Sequence, residues 1–197
     1  MTLRSLARAR TIQVRPEALV QGLRRATVAL CTVSVALFLV MIVLEFFYFQ
    51  RLSGGLASLD IRLLGFSSDD AVAWLTALGE PGREAVLVWQ YSSFDLFFPA
   101  VFGLALIGIF LHVASRSAAL SQRSKRIQLA AGVLVVLPYV VADYAQNMLI
   151  ARMLSDPSAA SVWLTSLTSE LVTAKFLLAL AAMAVIAAVF LRRHARS

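Results

Sequence analysis

The chain has 197 residues, of which 60% are hydrophobic and 15% charged, and its formal net charge is +7. About a quarter of the residues of a soluble domain are charged, so this composition excludes an ordinary water-soluble fold and favours a bilayer as the solvent. Cys31 is the only cysteine. An internal disulfide and a cysteine-based metal cluster are therefore excluded.

Four long apolar runs follow one another along the chain. A bilayer core about 30 Å thick takes about 20 helical residues to cross, and each run is close to this length or longer. The runs are continuously apolar and do not alternate, which favours spanning helices over the strands of a barrel. The predicted spans are residues 26–49, 95–113, 127–150 and 171–191.

The fold class that follows is an all-α, up-and-down four-helix bundle in a membrane. Residues 1–25 form a basic arm before it, and residues 26–197 form the membrane domain. The apolar run of the first span is longer than that of a cleaved signal peptide, so a retained anchor is expected.

Arginine and lysine placement predicts the orientation, because short cytoplasmic segments are enriched in these residues. Three basic segments are assigned to the cytoplasm, together with both chain termini. Their basic residues are Arg4, Arg8, Arg10, Arg15, Arg24 and Arg25 in the arm, Arg116, Arg123, Lys125 and Arg126 in the middle loop, and Arg192, Arg193 and Arg196 in the tail. The same arginines are expected to contact anionic lipid head groups. Nucleic acid is not an expected partner, because no basic folded module accompanies the charge.

The sequence of the first outer loop predicts a helical hairpin over residues 67–94, which is expected to lie on the bundle or to cap it. Ser67 or Ser68 can cap its first helix, and apolar residues then recur at helical spacing at Ala71, Trp74, Leu75 and Leu78. Gly79 is expected to end this helix, and Pro81 to begin the next segment. A packing lid and a gate over an outer pocket are both compatible with this pattern.

Each predicted span carries one ionisable residue near its outer end. These residues are Glu45, Asp95, Asp143 and Lys175. At 1.5 Å per residue, Asp143 lies about 24 Å above the start of its span and Lys175 about 6 Å below the start of the last one. The four groups are therefore expected at a common depth, with Asp143 paired to Lys175, because grouping offsets the cost of burying charge.

Helical spacing extends this site along the third span. Tyr139, Asp143 and Asn147 recur four residues apart and so share one helix face. Pro99 leaves the carbonyl of Asp95 without its usual amide donor. We therefore predict an outer-leaflet polar pocket whose residues are Glu45, Asp95, Tyr139, Asp143, Asn147 and Lys175, with Phe46, Phe47, Phe97 and Phe98 as candidates for its apolar part.

The function expected of such a pocket is to bind or transport a small amphipathic or lipid-like ligand. Two alternatives remain: the polar residues only hold the helices together in a structural or accessory subunit of a membrane complex, or they act as acid and base on a lipid. No metal or cofactor is expected. No histidine falls in the polar layer, and Lys175 would compete with a cation for the carboxylates.

Three stretches resemble, in order, the motifs of a family of uncharacterised small bacterial membrane proteins with four spans. They are "SSDDAVAWLTALGEPGREAVLVWQYSSFDLFFP", "LPYVVADYAQNMLIARML" and "SLTSELVTAKFLLAL", within residues 67–180. The shared pattern resembles a helix ending in Leu-Gly, an Asp four residues before a Pro, an Asp-Tyr-x-Glu-Asn motif and a Lys opening the last span.

The resemblance implies a polar signature but no known activity. The signature residues are Asp95, Pro99, Asp143, Tyr144, Asn147 and Lys175. The chain departs from the motif at Gln146, because the family motif resembles one with Glu at this position. The difference removes an ionisable group from any proton relay. Together with the predicted topology, the resemblance implies a multi-pass protein of the bacterial inner membrane.

Overall fold

A computed structural model describes residues 16–117 and 119–194. This part of the chain is helical and contains no strand, and four of its helices are long and apolar enough to cross a membrane. The prediction of an all-α four-helix bundle is thus confirmed. Some arginines of the predicted topology lie outside the described residues: Arg4, Arg8, Arg10, Arg15 and Arg196.

The helices follow the predicted order, with bounds that differ from the predicted spans. They are α1 (Pro16–Leu44), α2 (Gln50–Leu52), α3 (Ser68–Val86), α4 (Asp95–Ala114), α5 (Lys125–Ser155) and α6 (Val162–His194). Two π-helical segments, Glu45–Phe49 and Leu87–Phe94, connect α1 to α2 and α3 to α4. Two short 3-10 turns, Leu59–Ile61 and Pro157–Ala159, lie in the loops.

α3 consists of two helical arms that meet at Gly79. Ser67 caps the first arm, and its hydroxyl accepts a hydrogen bond from the amide of Asp70 while the Asp70 carboxylate accepts one from the amide of Ser67. Gly79 has φ 61°, a conformation that favours glycine, and this residue breaks the helix. The second arm runs on into α4, so Asp95 lies inside a continuous helical segment and not at the start of one.

The long helices pack in the order α1, α4, α5 and α6, and α4 also contacts α6. α3 packs on α5 and α6, and its residues Trp74 and Leu75 are buried there. We call this end of the bundle the capped end, which is formed by residues 53–86 and 156–161. We call the other end the loop end; it is formed by residues 115–117 and 119–124, by the amino-terminal part of α1 and by the carboxyl-terminal part of α6.

Two apolar clusters form the core, and polar residues separate them. The cluster at the capped end includes Phe49, Leu59, Trp74, Ile150 and Val172. The cluster toward the loop end includes Leu106, Phe110, Val136, Ala182 and Ile186. On α5 and α6, Asp143 and Lys175 lie between the residues of these two clusters, so the bundle changes from apolar to polar and back along its length.

Candidate functional site

A buried ion pair joins α5 to α6. Nζ of Lys175 lies 3.2 Å from Oδ1 of Asp143, and the exposed fractions of the two side chains are 12% and 6%. The Tyr139 hydroxyl donates a hydrogen bond of 2.9 Å to Oδ2 of the same carboxylate. Both oxygens of Asp143 are therefore engaged, which offsets much of the cost of burying its charge.

Two further carboxylates, those of Asp60 and Asp95, lie beside this ion pair. Nε2 of Gln90 donates a hydrogen bond of 2.9 Å to Oδ2 of Asp95 and lies 3.5 Å from Oδ2 of Asp60. All three side chains are buried. We call Asp60, Gln90, Asp95, Tyr139, Asp143 and Lys175 together the polar cluster; it joins α4, α5 and α6 to the loop before α3.

Glu45 lies apart from this cluster, although it is also buried. Its carboxylate accepts hydrogen bonds from the backbone amide of Ser58 at 3.0 Å and from the Ser58 hydroxyl at 2.5 Å. Gln50 donates a third, at 3.1 Å. Glu45 therefore anchors the loop that carries Asp60, and it does not line the cavity described below.

Asn147 and Tyr144 contact backbone carbonyls of α4. The side-chain amide of Asn147 lies 3.5 Å from the carbonyl oxygen of Asp95, the group that Pro99 leaves without an amide donor. The Tyr144 hydroxyl donates a bond of 2.8 Å to the carbonyl of Leu96. Asn147 thus contacts the backbone of α4 one helical turn beyond Asp143, toward the capped end, and does not line the cleft.

A partly open cavity of about 350 Å³ lies between α1 and α6, and we call it the cleft. Every member of the polar cluster except Gln90 lines it, on one part of its wall. The remaining lining is mainly apolar and comes from Ser34, Val35, Phe38, Met41, Ile61, Phe98, Phe102, Phe176, Ala179 and Met183. Apolar walls with a few grouped polar side chains are typical of small-molecule sites.

Aromatic rings form one continuous wall of the cleft. The ring centroids of Phe38 and Phe98 lie 6.1 Å apart, those of Phe98 and Phe102 5.6 Å, and those of Phe102 and Tyr139 5.5 Å. The wall therefore leads from α1 to the polar cluster. Of the phenylalanines expected to line the pocket, only Phe98 does so; Phe46, Phe47 and Phe97 are exposed on the bundle surface.

The charges of the polar cluster do not balance. It contains three carboxylates and one ammonium group, and within the described residues neither Asp60 nor Asp95 forms an ion pair. Burial raises the pKa of Asp60; Lys175 lowers it, and the nearby Glu45 raises it further. Among the described residues, no donor meets Oδ1 of Asp60 in full hydrogen-bond geometry, but the Tyr91 hydroxyl, which also has no other partner there, lies close enough to interact with this carboxylate as a weak donor.

Sequence reasoning missed two residues of the cluster. Asp60 lies in the first outer loop before the predicted hairpin, and Gln90 lies within that hairpin, residues 67–94. Neither residue belongs to a recognisable motif. Asp60 directly follows the buried Leu59, and Gln90 directly precedes the buried Tyr91. Gln146 is fully buried on α5, and neither of its amide atoms has a partner among the described residues.

The carboxylates do not form a metal site. Within residues 16–117 and 119–194, no group of three or more His, Cys, Asp or Glu side chains could hold a metal ion. Asp143 is engaged by Lys175 and Tyr139, and Glu45 by Ser58, so these carboxylates do not converge on one point.

Comparison with family models, with curated proteins and with solved structures finds no significant match. The resemblance of residues 67–180 to a family of bacterial four-span proteins therefore depends on its motifs alone. The geometry of the cleft carries the functional argument.

A second cavity, of about 600 Å³, lies near the loop end between α1, α4 and α5. Its walls are apolar, with Val20, Leu23 and Leu111 among them, and Arg24 and Lys125 add two cationic groups. The charged side chains of this cavity are thus cationic, whereas in the cleft three carboxylates accompany one ammonium group.

Proposed function

We propose that this chain is an integral membrane protein that binds, or carries across the membrane, a small amphipathic molecule in the cleft. The observation that carries the proposal is the cavity of about 350 Å³ whose aromatic wall ends at the polar cluster. The apolar part of a ligand would pack on the phenylalanines, and its polar part would contact the carboxylates and Lys175.

The main alternative is a polar cluster that only holds the helices together. In such a cluster the buried polar atoms are expected to satisfy one another's hydrogen bonds, since each buried unsatisfied group costs about 1–3 kcal/mol. Among the described residues, no donor meets Oδ1 of Asp60, on the wall of the cleft, in full hydrogen-bond geometry. Neither Asp60 nor Asp95 forms an ion pair there. These features favour a ligand site over helix packing alone.

The proposed location is a bacterial inner membrane, with the loop end in the cytoplasm. This assignment is supported by the arginine and lysine residues of the amino-terminal arm, of residues 115–126 and of the tail, because cytoplasmic segments are enriched in these residues. The cleft then faces the outer leaflet, from which an amphipathic molecule can enter sideways between α1 and α6.

Anionic lipid head groups are the proposed partners of the loop end. The apolar walls of the second cavity suit acyl chains, and Arg24 and Lys125 provide positive charge for a phosphate. We also expect contacts with other membrane subunits, because the exposed apolar faces of a membrane helix pack against protein as well as against lipid.

Filling the cleft tests the proposed function. Ala179 lines the cleft on α6, whereas Ala181, two residues further on, is exposed. Ala179→Phe should remove bound small molecules seen by native mass spectrometry of protein purified in mild detergent. Ala181→Phe adds the same side chain to the same helix and should leave those molecules bound.

Equal occupancy in the two variants would place the bound molecules outside the cleft and would overturn the proposal. Absence of any bound molecule from the unmodified protein, after extraction in several mild detergents, would instead favour the structural role. Circular dichroism of both variants should retain the helical spectrum, so that loss of binding is not confused with loss of the fold.

A further inference from the structure

The charges that face the cleft identify the chemical class of ligand. Asp143 has Lys175 and the Tyr139 hydroxyl as partners, so its charge is compensated. Asp60 and Asp95 share the neutral amide of Gln90, and neither forms an ion pair among the described residues. A positive charge is therefore missing at the wall where these two carboxylates lie.

Asp60 supplies a second observation that points to a ligand. The residue is 4% exposed and lines the cleft, and among the described residues its Oδ1 meets no donor in full hydrogen-bond geometry, with only the Tyr91 hydroxyl close by. A buried carboxylate oxygen without a donor is unfavourable, and a cation beside it removes that cost. The alternative in an empty cleft is a proton on one of the two carboxylates, because like charges close together are disfavoured.

The aromatic wall suits the same kind of molecule. The faces of Phe and Tyr rings attract cations within about 6 Å of the ring centroid. Phe98 and Phe102 are stacked with ring planes 5° apart, and both line the cleft together with Asp95. Nζ of Lys175 lies 5.3 Å from the ring centroid of Phe176, which also lines the cleft. Aromatic rings and uncompensated carboxylates together recognise an apolar molecule with a positive charge.

We propose that the ligand of the cleft is a lipophilic organic cation, an alkyl or aryl amine or quaternary ammonium compound, with Asp60 and Asp95 as its counter-ions. This inference rests on the proposed function of the cleft as a ligand site. A small inorganic cation does not fit, because the walls are mainly apolar and the described residues contain no metal-binding group of side chains.

A pair of isosteric probes tests the charge of the ligand. Benzyltrimethylammonium and neopentylbenzene have nearly the same shape, and only the first carries a positive charge. Binding to the full-length protein in detergent micelles is measured by isothermal titration calorimetry, with empty micelles as the blank. The cation should bind at least about tenfold more tightly than its neutral isostere, as expected for a charge-assisted contact.

Matched variants assign this preference to the two carboxylates. Asp60→Asn and Asp95→Asn should each reduce the affinity for benzyltrimethylammonium by about tenfold and leave that for neopentylbenzene nearly unchanged. Asp69→Asn, at an exposed position of α3, removes the same charge outside the cleft and should alter neither affinity. Helical content and the melting temperature of each variant are measured alongside.

The possible results separate the inference from the proposed function. Equal binding of both probes, or an unchanged preference in Asp60→Asn and Asp95→Asn, would show a site that ignores ligand charge and would overturn the inference alone. If Ala179→Phe abolishes binding of both probes, the cleft is a ligand site whatever their relative affinities. Failure of both probes to bind the unmodified protein would overturn this inference, whereas the proposed function is overturned only by equal occupancy of Ala179→Phe and Ala181→Phe.

Discussion

The two halves of the bundle solve the problem of helix packing in different ways. Toward the loop end, α4 and α5 approach closely at glycines: a Cβ at Gly103 would lie 2.7 Å from Cγ2 of Val140, and one at Gly132 would lie 2.9 Å from Cδ1 of Phe110. Toward the capped end, hydrogen bonds and a buried ion pair are added to the apolar contacts, and the cleft there is lined by carboxylates.

The loop-end half thus packs α4 against α5 through small residues, whereas the capped half contains the polar cluster and the cleft. Small residues allow close contact between helices in a membrane and need no further explanation. Buried carboxylates that form no ion pair oppose stability, and their presence in the capped half is the reason for the proposed ligand site. The loop before α3 contributes Asp60 to this half, and Glu45 holds that loop through Ser58.

The largest expected effect concerns which side of the membrane each end faces. In a chain with Cys31 replaced by alanine, a cysteine is introduced at Thr76 on α3 or at Ser121 at the loop end, both exposed positions. A membrane-impermeant maleimide added to intact bacterial cells, with the outer membrane made permeable, should label Thr76→Cys and not Ser121→Cys. Both should react once the inner membrane is broken, and the reverse pattern would contradict the proposed orientation.

The next largest effect is expected at the ion pair of the capped half. Lys175→Met should destabilise the protein by about 3–5 kcal/mol, because it leaves Asp143 charged and buried without its partner. Unfolding of the detergent-solubilised protein in increasing dodecyl sulfate measures this change. Adding Asp143→Asn to Lys175→Met should recover most of the loss, and the absence of any recovery would show that the two residues are not energetically coupled.

A smaller effect of opposite sign at two positions tests the packing of the loop-end half. Gly103→Ala places a methyl group against Val140 and should cost about 1–3 kcal/mol, despite the higher helix propensity of alanine. Gly22→Ala in α1 is the control, because no atom lies within 4 Å of the added Cβ. That variant should be unchanged or up to about 1 kcal/mol more stable. Equal changes at both positions, measured by the same unfolding assay, would show that glycine packing is not what joins α4 to α5.

Counting residues along helices was enough to place several side chains of the site. The rise of 1.5 Å per residue puts Asp95, Asp143 and Lys175 at similar depths once the direction of each span is known. The spacing of four residues likewise puts Tyr139 on the same face as Asp143, and the structure joins the two by a hydrogen bond. Both arguments use only helix geometry, which tertiary contacts leave unchanged.

The loop residues of the site could not be derived in this way. Asp60 is brought to the cleft by a 3-10 turn that Glu45 holds through Ser58, a contact over 13 residues that no periodicity encodes. Gln90 faces inward because the chain from Pro81 to Ala114 remains helical through a π segment, where the surface hairpin was expected to end. π-helical turns shift the register of side chains, and functional sites often contain them.

The amino-acid sequence alone determined that the described chain forms four long apolar helices with a capped helix between the first two, because composition, length and local caps act within each segment. Only the tertiary structure decided which polar side chains meet, that α1 and α6 leave a cleft between them, and that Asp60 and Asp95 lie there without a cation. The physical reason is that a buried charge is stabilised or left uncompensated by groups distant in the chain, and their distances are set by packing.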